Sequence, residues 1–579
     1  MVNVKNLFGM AVMATALVGC SSNDNLAPDG KDNVGKTGEA YASFTINLPT
    51  TTGTGTRGEG DPAPTPLGTP SFAEGTAAEY EVKNGTILIF DNSGNFVESA
   101  ELGTMNPWTK KTDENGVTTA AAATVQLSKV QIGESYQALV LLNNNTNTAE
   151  QKVTLPSDGD SYATWSATAG NAKADKYEKT DGIFMANAPK YVNATENPTT
   201  LVTFNNVYAS REQAQANPAT VVYVERGLAK VTMEDFATAY TIADGNTYAG
   251  DKVEIKNWQL DVTNKSTFPI HQADLYSTWD GIWNTARFFD GDNSKFQRVY
   301  WGTDPNYSDA QYLDLDKCKT AFKMIGNDDV KGLAGIANPQ YCLENTFNLA
   351  NMMQGQTTRV VFKAVYTPKA LKGTTEKTFY KIGNNTAIWK EADLAQQIKT
   401  LAIKAMKITD PVEQAMYSVD LSKGSNISGK AGQHLVAAEN IKFDPGESTI
   451  TSKVDANVVN EVNAKLGLSE ADPTAHKEKV GISTYLNGEA YYIARIKHFN
   501  DLTPWNAGEA YDSNNKKYLG RYGVLRNNWY SLSVNKISNL GYPSVPEVKP
   551  NVPDDENDKY INVEVKILSW AKRSQSIDL

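Results

Sequence analysis

Leu17-Val18-Gly19-Cys20 ends a short apolar run and sets one thiol where an exported chain can be cut and lipidated. Lys5 supplies a positive start and residues 7–18 the apolar stretch, which is too short to span a bilayer as a helix. A lipoprotein signal peptidase acting after Gly19 leaves Cys20 as the lipidated N-terminus. A plain secretory signal with an incidental cysteine is the alternative, and Leu-x-Gly-Cys at the end of the run weighs against it. Ser21, not Asp, follows Cys20 and leans towards the outer membrane. A second reactive point is Arg57-Gly58. Arg57 is the sole basic residue between Lys36 and Lys83, in a Thr, Gly and Pro stretch that a trypsin-like protease can bind extended. The competing reading is a solubilising loop charge.

Other chemistry is sought and not found. His271, His434, His476 and His498 are isolated, without a paired-ligand spacing. Hydrolase, Walker and dinucleotide signatures are absent. Asp290-Gly291-Asp292-Asn293-Ser294 lacks the downstream Glu of a calcium loop and reads as a polar turn. Asp314 and Asp316 fall at strand spacing, with nothing to set them across a cleft. Cys318 and Cys342 are open to a disulfide in an exported chain and equally open to being free or buried thiols. No catalytic residue, metal or cofactor is expected, and an enzyme is not the reading.

The elements that would position these points are mostly strands. The chain has 579 residues, 40% apolar and 21% charged, enough for two or three domains with sizeable cores. A net charge of −11 argues against a nucleic-acid partner. Ala42, Phe44, Ile46 and Leu48 share one face of an alternating strand that Pro49 stops. Strand patterns recur at 85–90, 123–127, 136–143, 228–233, 252–262, 358–366, 491–496 and 529–537. Residues 91–95 read as a hairpin turn and 210–216 as a helical turn. Leu394, Ile398, Leu401 and Ala405 mark one helix. Val458, Val459, Val462 and Leu466 mark another, with Gly467 as its C-cap.

Pro543, Pro546, Pro550 and Pro553 suggest a stiff acidic tether before a last strand, 560–570. Ile561, Val563, Val565 and Ile567 form an apolar face of four there, matching Ala42, Phe44, Ile46 and Leu48 in number. Such a tail can replace a strand lost from a neighbour's start. Pairing within its own chain is the alternative, and the length of the lead favours exchange.

The expected organisation is a signal peptide at 1–19 and a lipidated propeptide with a removable strand at 20–57. An N-terminal β-sandwich at 58–223 and a C-terminal one at 224–541 follow, then tether and donor strand at 542–579. The class is all-β, with a few short helices.

Several segments carry a family resemblance. They include Leu17-Val18-Gly19-Cys20, Phe44-Thr45-Ile46-Asn47-Leu48-Pro49, Phe184-Met185-Ala186-Asn187 and Val224-Glu225-Arg226-Gly227-Leu228-Ala229-Lys230-Val231. Tyr300-Trp301-Gly302-Thr303-Asp304-Pro305-Asn306-Tyr307 and Arg526-Asn527-Asn528-Trp529-Tyr530-Ser531-Leu532 continue the match. In order and spacing they resemble the fimbrillins, lipoprotein precursors of type V pili, and among them the Mfa-type stalk subunits. The resemblance implies two transthyretin-like, Greek-key sandwiches in tandem. It implies lipidation at Cys20, a cut between Arg57 and Gly58, and loss of the first strand. A donor strand carrying Ile561, Val563, Val565 and Ile567 from another copy then fills the groove. Implied partners are further copies head to tail, accessory anchor and tip pilins, a trypsin-like surface protease, and outer-membrane lipid through Cys20 before cleavage. The implied location is the cell surface.

Two alternatives stand beside this. Trp279, Trp283, Phe288, Phe289, Tyr300, Trp301, Tyr307 and Tyr312 crowd one region and could form a sugar-binding platform, although core packing is the stronger reading. A tip or anchor subunit of the same pilus is the other. A removable first strand together with a spare last one favours the stalk.

Overall fold

The structure, a computed structural model, describes residues 40–48, 76–103, 109–113, 116–144, 153–168, 172–173, 182–189, 198–233, 237, 239–273, 275, 299, 301–308, 312, 314–326, 334–335, 337–422, 425–426, 432–470, 480–498, 509, 515, 518–554, 565–569 and 573–578. At 77, 109–113, 116–120, 172–173, 334–335, 425–426, 565–569 and 573–578 it describes backbone only.

Strands dominate, as the composition leads one to expect. The first core is built from one nine-stranded sheet. Its order runs Phe96–Glu101, Gly85–Phe90, Tyr136–Leu142, Met185–Asn187, Thr220–Arg226, Ala40–Leu48, Gly116–Leu127, Thr109–Asp113, with Val202–Phe204 beside Tyr136–Leu142. Thr220–Arg226 serves both halves. Its first part pairs in parallel with Phe44 to Asn47, its last three residues antiparallel with Met185–Asn187. The sheet folds over at that strand. Phe44, Ile46, Val125 and Leu127 from one half therefore share a core with Ile87, Ile89, Val140 and Leu142 from the other. Glu98 ties the open edges together by accepting from the backbone N–H of Ser128 (2.9 Å) and Lys129 (2.7 Å).

A second core lies between two sheets. One contains Gln340–Cys342, Ala229–Met233 and Asn528–Lys536. The other contains Tyr240–Thr241, Lys252–Asp261, Arg359–Thr367 and Glu489–Arg495. Val231, Trp258, Phe362, Tyr492, Tyr530 and Leu532 fill the space between them. The outer face of the first sheet packs on this part, with Leu88, Leu139 and Phe184 clustered against Leu228, Ile270 and Leu343.

A third layer was not separated by sequence. A five-stranded sheet that includes Phe379–Ile382 and Ile482–Tyr485 carries the helices Glu391–Ala405 and Ala456–Leu466 on a core of its own. Both helices lie where their periodicity put them. Leu394 and Ile398 are buried, and Gly467 takes the left-handed cap conformation at φ 70°.

Two expectations are corrected and one open alternative is decided. Residues 542–554 are not a free tether but lie along the body. Tyr542 pairs with Tyr491, Arg359 Nη2 donates to the Pro546 carbonyl (2.6 Å), and Gln354 N donates to the Val552 carbonyl (2.9 Å). Proline has no N–H, so at Pro546 the body supplies the donor, whereas Tyr542 N and Asp554 N donate to the Tyr491 and Met352 carbonyls (2.8 and 3.2 Å). Cys318 and Cys342 are buried in different clusters and are not bonded to each other, which decides between the two readings that sequence left open. Asp314 is not on a strand. It caps the helix Leu315–Ala321, accepting from Asp316 N (2.8 Å) and Lys317 N (3.3 Å).

Candidate functional site

Ala40–Leu48 occupies the interior of the first sheet. Along one side it pairs antiparallel with Gly116–Leu127 over its whole length. Along the other, Tyr41 exchanges backbone hydrogen bonds with Tyr208 (2.8 and 2.9 Å), the Ser43 carbonyl accepts from Ala219 N (2.6 Å), and the parallel pairing with Thr220–Arg226 begins at Phe44. Alternation does the rest. Ala42, Phe44 and Ile46 are fully buried, and Leu48 is 4% exposed. Phe44 meets the edge of Phe204 at 5.0 Å between ring centres. The four residues share one buried face, in one apolar core.

Without this strand, the sheet would be left with an interior slot. Val125, Leu127, Phe204 and Val222 would lose their neighbour, and both flanking strands would present unpaired N–H and C=O groups. The slot lining is apolar. Beside it lies Arg211, whose Cζ is 5.6 Å from the Tyr41 ring centre and whose Nη1 donates to the Thr124 carbonyl (3.1 Å).

The other site residues distribute unevenly. Cys20, Arg57, Gly58, Ile561 and Val563 lie outside the described residues, as do Trp279, Trp283, Phe288, Phe289, Tyr300 and the turn from Asp290 to Ser294. Val565 and Ile567 belong to the strand Val565–Ser569, which pairs with Asn528 and Trp529 of its own chain. Arg573–Asp578 lies along Asn528–Lys536 in parallel. Sequence alone ranks exchange above pairing within the chain; the single chain pairs these segments on its own sheet. Trp301, Tyr307 and Tyr312 are 0%, 6% and 8% exposed, so these members of the aromatic group are core and offer no platform.

Buried charge was missed. Glu79, on the short helix Ala77–Tyr80, pairs with Lys230 at 2.7 Å and also bonds Tyr341 Oη; its backbone carbonyl accepts from Arg226 Nε (2.7 Å). Lys230 Nζ sits 3.6 Å from the Trp529 ring centre. This moors the first residues described after the Arg57 loop to the second core. Charged residues inside the apolar run Val224 to Val231 were the available signal. His271 is structural: its Nδ1 lies 2.8 Å from Glu225 Oε1 and its Nε2 lies 3.0 Å from the Trp301 carbonyl. Among the described residues no group of three or more His, Cys, Asp or Glu side chains is placed to hold a metal ion.

Residues 483–576 match the family model described as major fimbrial subunit protein type IV, fimbrillin, C-terminal. That region holds Asn528–Lys536, residues 542–554 and both terminal strands. This segment is thus similar to the C-terminal part of a class of fimbrial subunits. In particular, the matching class is fimbrillin, and the match lies in these residues alone. Solved structures that resemble the chain include a fimbrial assembly protein from Parabacteroides distasonis, 13% identical, covering 60% of this chain and 93% of that one at a TM-score of 0.28. A candidate cell adhesion protein from the same organism is 11% identical, covering 93% and 98% of the two chains at a TM-score of 0.31. Comparison with curated proteins returns no match.

Proposed function

We propose that the chain is a stalk subunit of the Mfa-type, type V pilus class, exported as an outer-membrane lipoprotein anchored at Cys20. A trypsin-like surface protease cuts between Arg57 and Gly58. The strand Ala40–Leu48 leaves, and residues 560–570 of a second copy take its place. Two sandwich domains, 58–223 and 224–541, form the repeating body. The role is structural and not enzymatic, and accessory anchor and tip subunits complete the fibre.

One observation supports this reading above the others. Ala40–Leu48 is an interior strand, yet it belongs to a segment that a single cut at Arg57 would separate from the rest. Four apolar side chains of the donor restore the lost face. Their burial contributes about 6–12 kcal/mol by ordinary transfer values, and each restored ladder bond adds about 1 kcal/mol. The contact joins different surfaces of successive copies, so it extends and does not close. The terminal strands' place on their own sheet corresponds to the unassembled subunit.

The test is electron microscopy and unboiled gel electrophoresis of the purified chain after mild trypsin. Filaments and multimer ladders are expected from wild type, and only monomer from Arg57→Ala. Ladders of normal intensity from Arg57→Ala would refute the cut.

A further inference from the structure

The outer face of the first strand is covered as well, and unevenly. Ser43 points away from the core yet is only 3% exposed, whereas Tyr41, Thr45 and Asn47 on the same face are partly open. Its cover is residues 208–219. The chain pairs with Tyr41 at Tyr208, leaves the sheet edge, and rejoins it where Ala219 N donates to the Ser43 carbonyl. Between these points it forms the helix Arg211–Ala216, N-capped by Ser210, which lies across the first strand and its neighbour Gly116–Leu127. Ala214 is fully buried beneath it. Arg211 holds the neighbour's Thr124 carbonyl and stacks on Tyr41, and Thr124 Oγ1 donates to Ser43 Oγ (3.2 Å).

Any strand that enters the slot must therefore satisfy a cover as well as a core. Aligning the four apolar residues of the tail with those of the first strand puts Tyr560 where Tyr41 was and Asn562 where Ser43 was. Glu564 and Lys566 then fall at the partly open positions of Thr45 and Asn47. A slip of one residue turns the apolar face outwards. A slip of two in one direction buries the Glu564 carboxylate under the helix, where Arg211 already donates to the Thr124 carbonyl. A slip of two in the other forces the Tyr560 ring into the space of a serine. Only the unshifted register places a ring against Arg211 and a small polar side chain beside Thr124.

We propose that residues 208–219, with the helix Arg211–Ala216, act as a register gauge for the incoming strand of a second copy. They read a tyrosine at the Tyr41 position through Arg211 and a small polar residue at the Ser43 position. The inference rests on the strand-exchange reading, and its test separates the two.

Full-length chains carrying Asn562→Trp, Lys566→Trp or Tyr560→Ala are processed with trypsin, and ladder formation is timed against wild type. Asn562→Trp should slow assembly by at least about tenfold, the effect of overpacking a closed space. Lys566→Trp should stay within about twofold, as a surface change does. Tyr560→Ala should slow assembly by about two- to fivefold, the scale of an exposed cation–π contact. That loss should vanish in an Arg211→Ala background, because the two residues would share one contact. Thermal unfolding of each uncut chain checks that the variants fold. Equal slowing by Asn562→Trp and Lys566→Trp, or independent effects of Tyr560 and Arg211, overturns the gauge while leaving exchange intact. Failure of processed wild type to assemble overturns both.

Discussion

Truncating Phe44 to alanine removes a fully buried ring and its edge contact with Phe204. In the uncut chain this should cost about 3–5 kcal/mol, read as a lower urea midpoint for the first core. In the assembled fibre the same variant should behave as wild type, since the proposal removes this strand before assembly. Asp304 gives a pH signature at the same scale. It accepts from Asn306 N and Thr346 N (2.6 Å each), but burial, with the Glu344 charge adding to it, pushes its carboxyl from the ordinary 3.8 up to about 7. Between these values the folded chain holds a proton that the unfolded chain releases. Its contribution to stability is thus complete below about 3.8 and lost as pH rises towards about 7. Asp304→Asn should flatten that fall, measured as urea midpoints at several pH values across the window. An unchanged slope would show that Asp304 is ionised throughout.

Residues 542–554 matter as an element because they set where the tail leaves its own body. Val545 and Val548 are buried, and Asp554 is fully buried beside Arg495 at 3.0 Å. A segment so held cannot reach a neighbour, so the proposed exchange would begin beyond Asp554. Asp554→Ala leaves Arg495 without this carboxylate in a low-dielectric site, at a cost of about 3–5 kcal/mol. Hydrogen exchange should then rise across 542–554 while the first core stays protected. Protection unchanged at 542–554 would mean that the backbone bonds of Gln354 and Arg359 hold the segment by themselves. The helices Glu391–Ala405 and Ala456–Leu466 were legible at this scale, because a 3.6-residue apolar spacing over three or more turns has few other solutions. The short helix Leu315–Ala321 was not, because two turns carry too little periodicity.

At the scale of the whole molecule, the proposed polymerisation would depend on a slot and a tail at opposite ends of the sequence. Deleting residues 560–579 should abolish multimer ladders while both large cores keep cooperative unfolding. Loss of cooperativity in the second core would instead assign the tail to its own sheet, where the single chain places Val565–Ser569 and Arg573–Asp578.

What the sequence alone determined was local: a cysteine ending an apolar run, one arginine in a long stretch without other basic residues, and two alternating segments with faces of four. These follow from period and composition within a few residues. Tertiary structure decided the rest. It placed Ala40–Leu48 inside the sheet beside residues 220–223, laid the helix Arg211–Ala216 across Ser43, fastened 542–554 to the body, and joined Glu79 to Lys230. The reason is that alternation states which face is buried but not against what. Partners far apart in sequence are selected by shared burial and by the need to satisfy each enclosed polar group, and neither is written in any one segment.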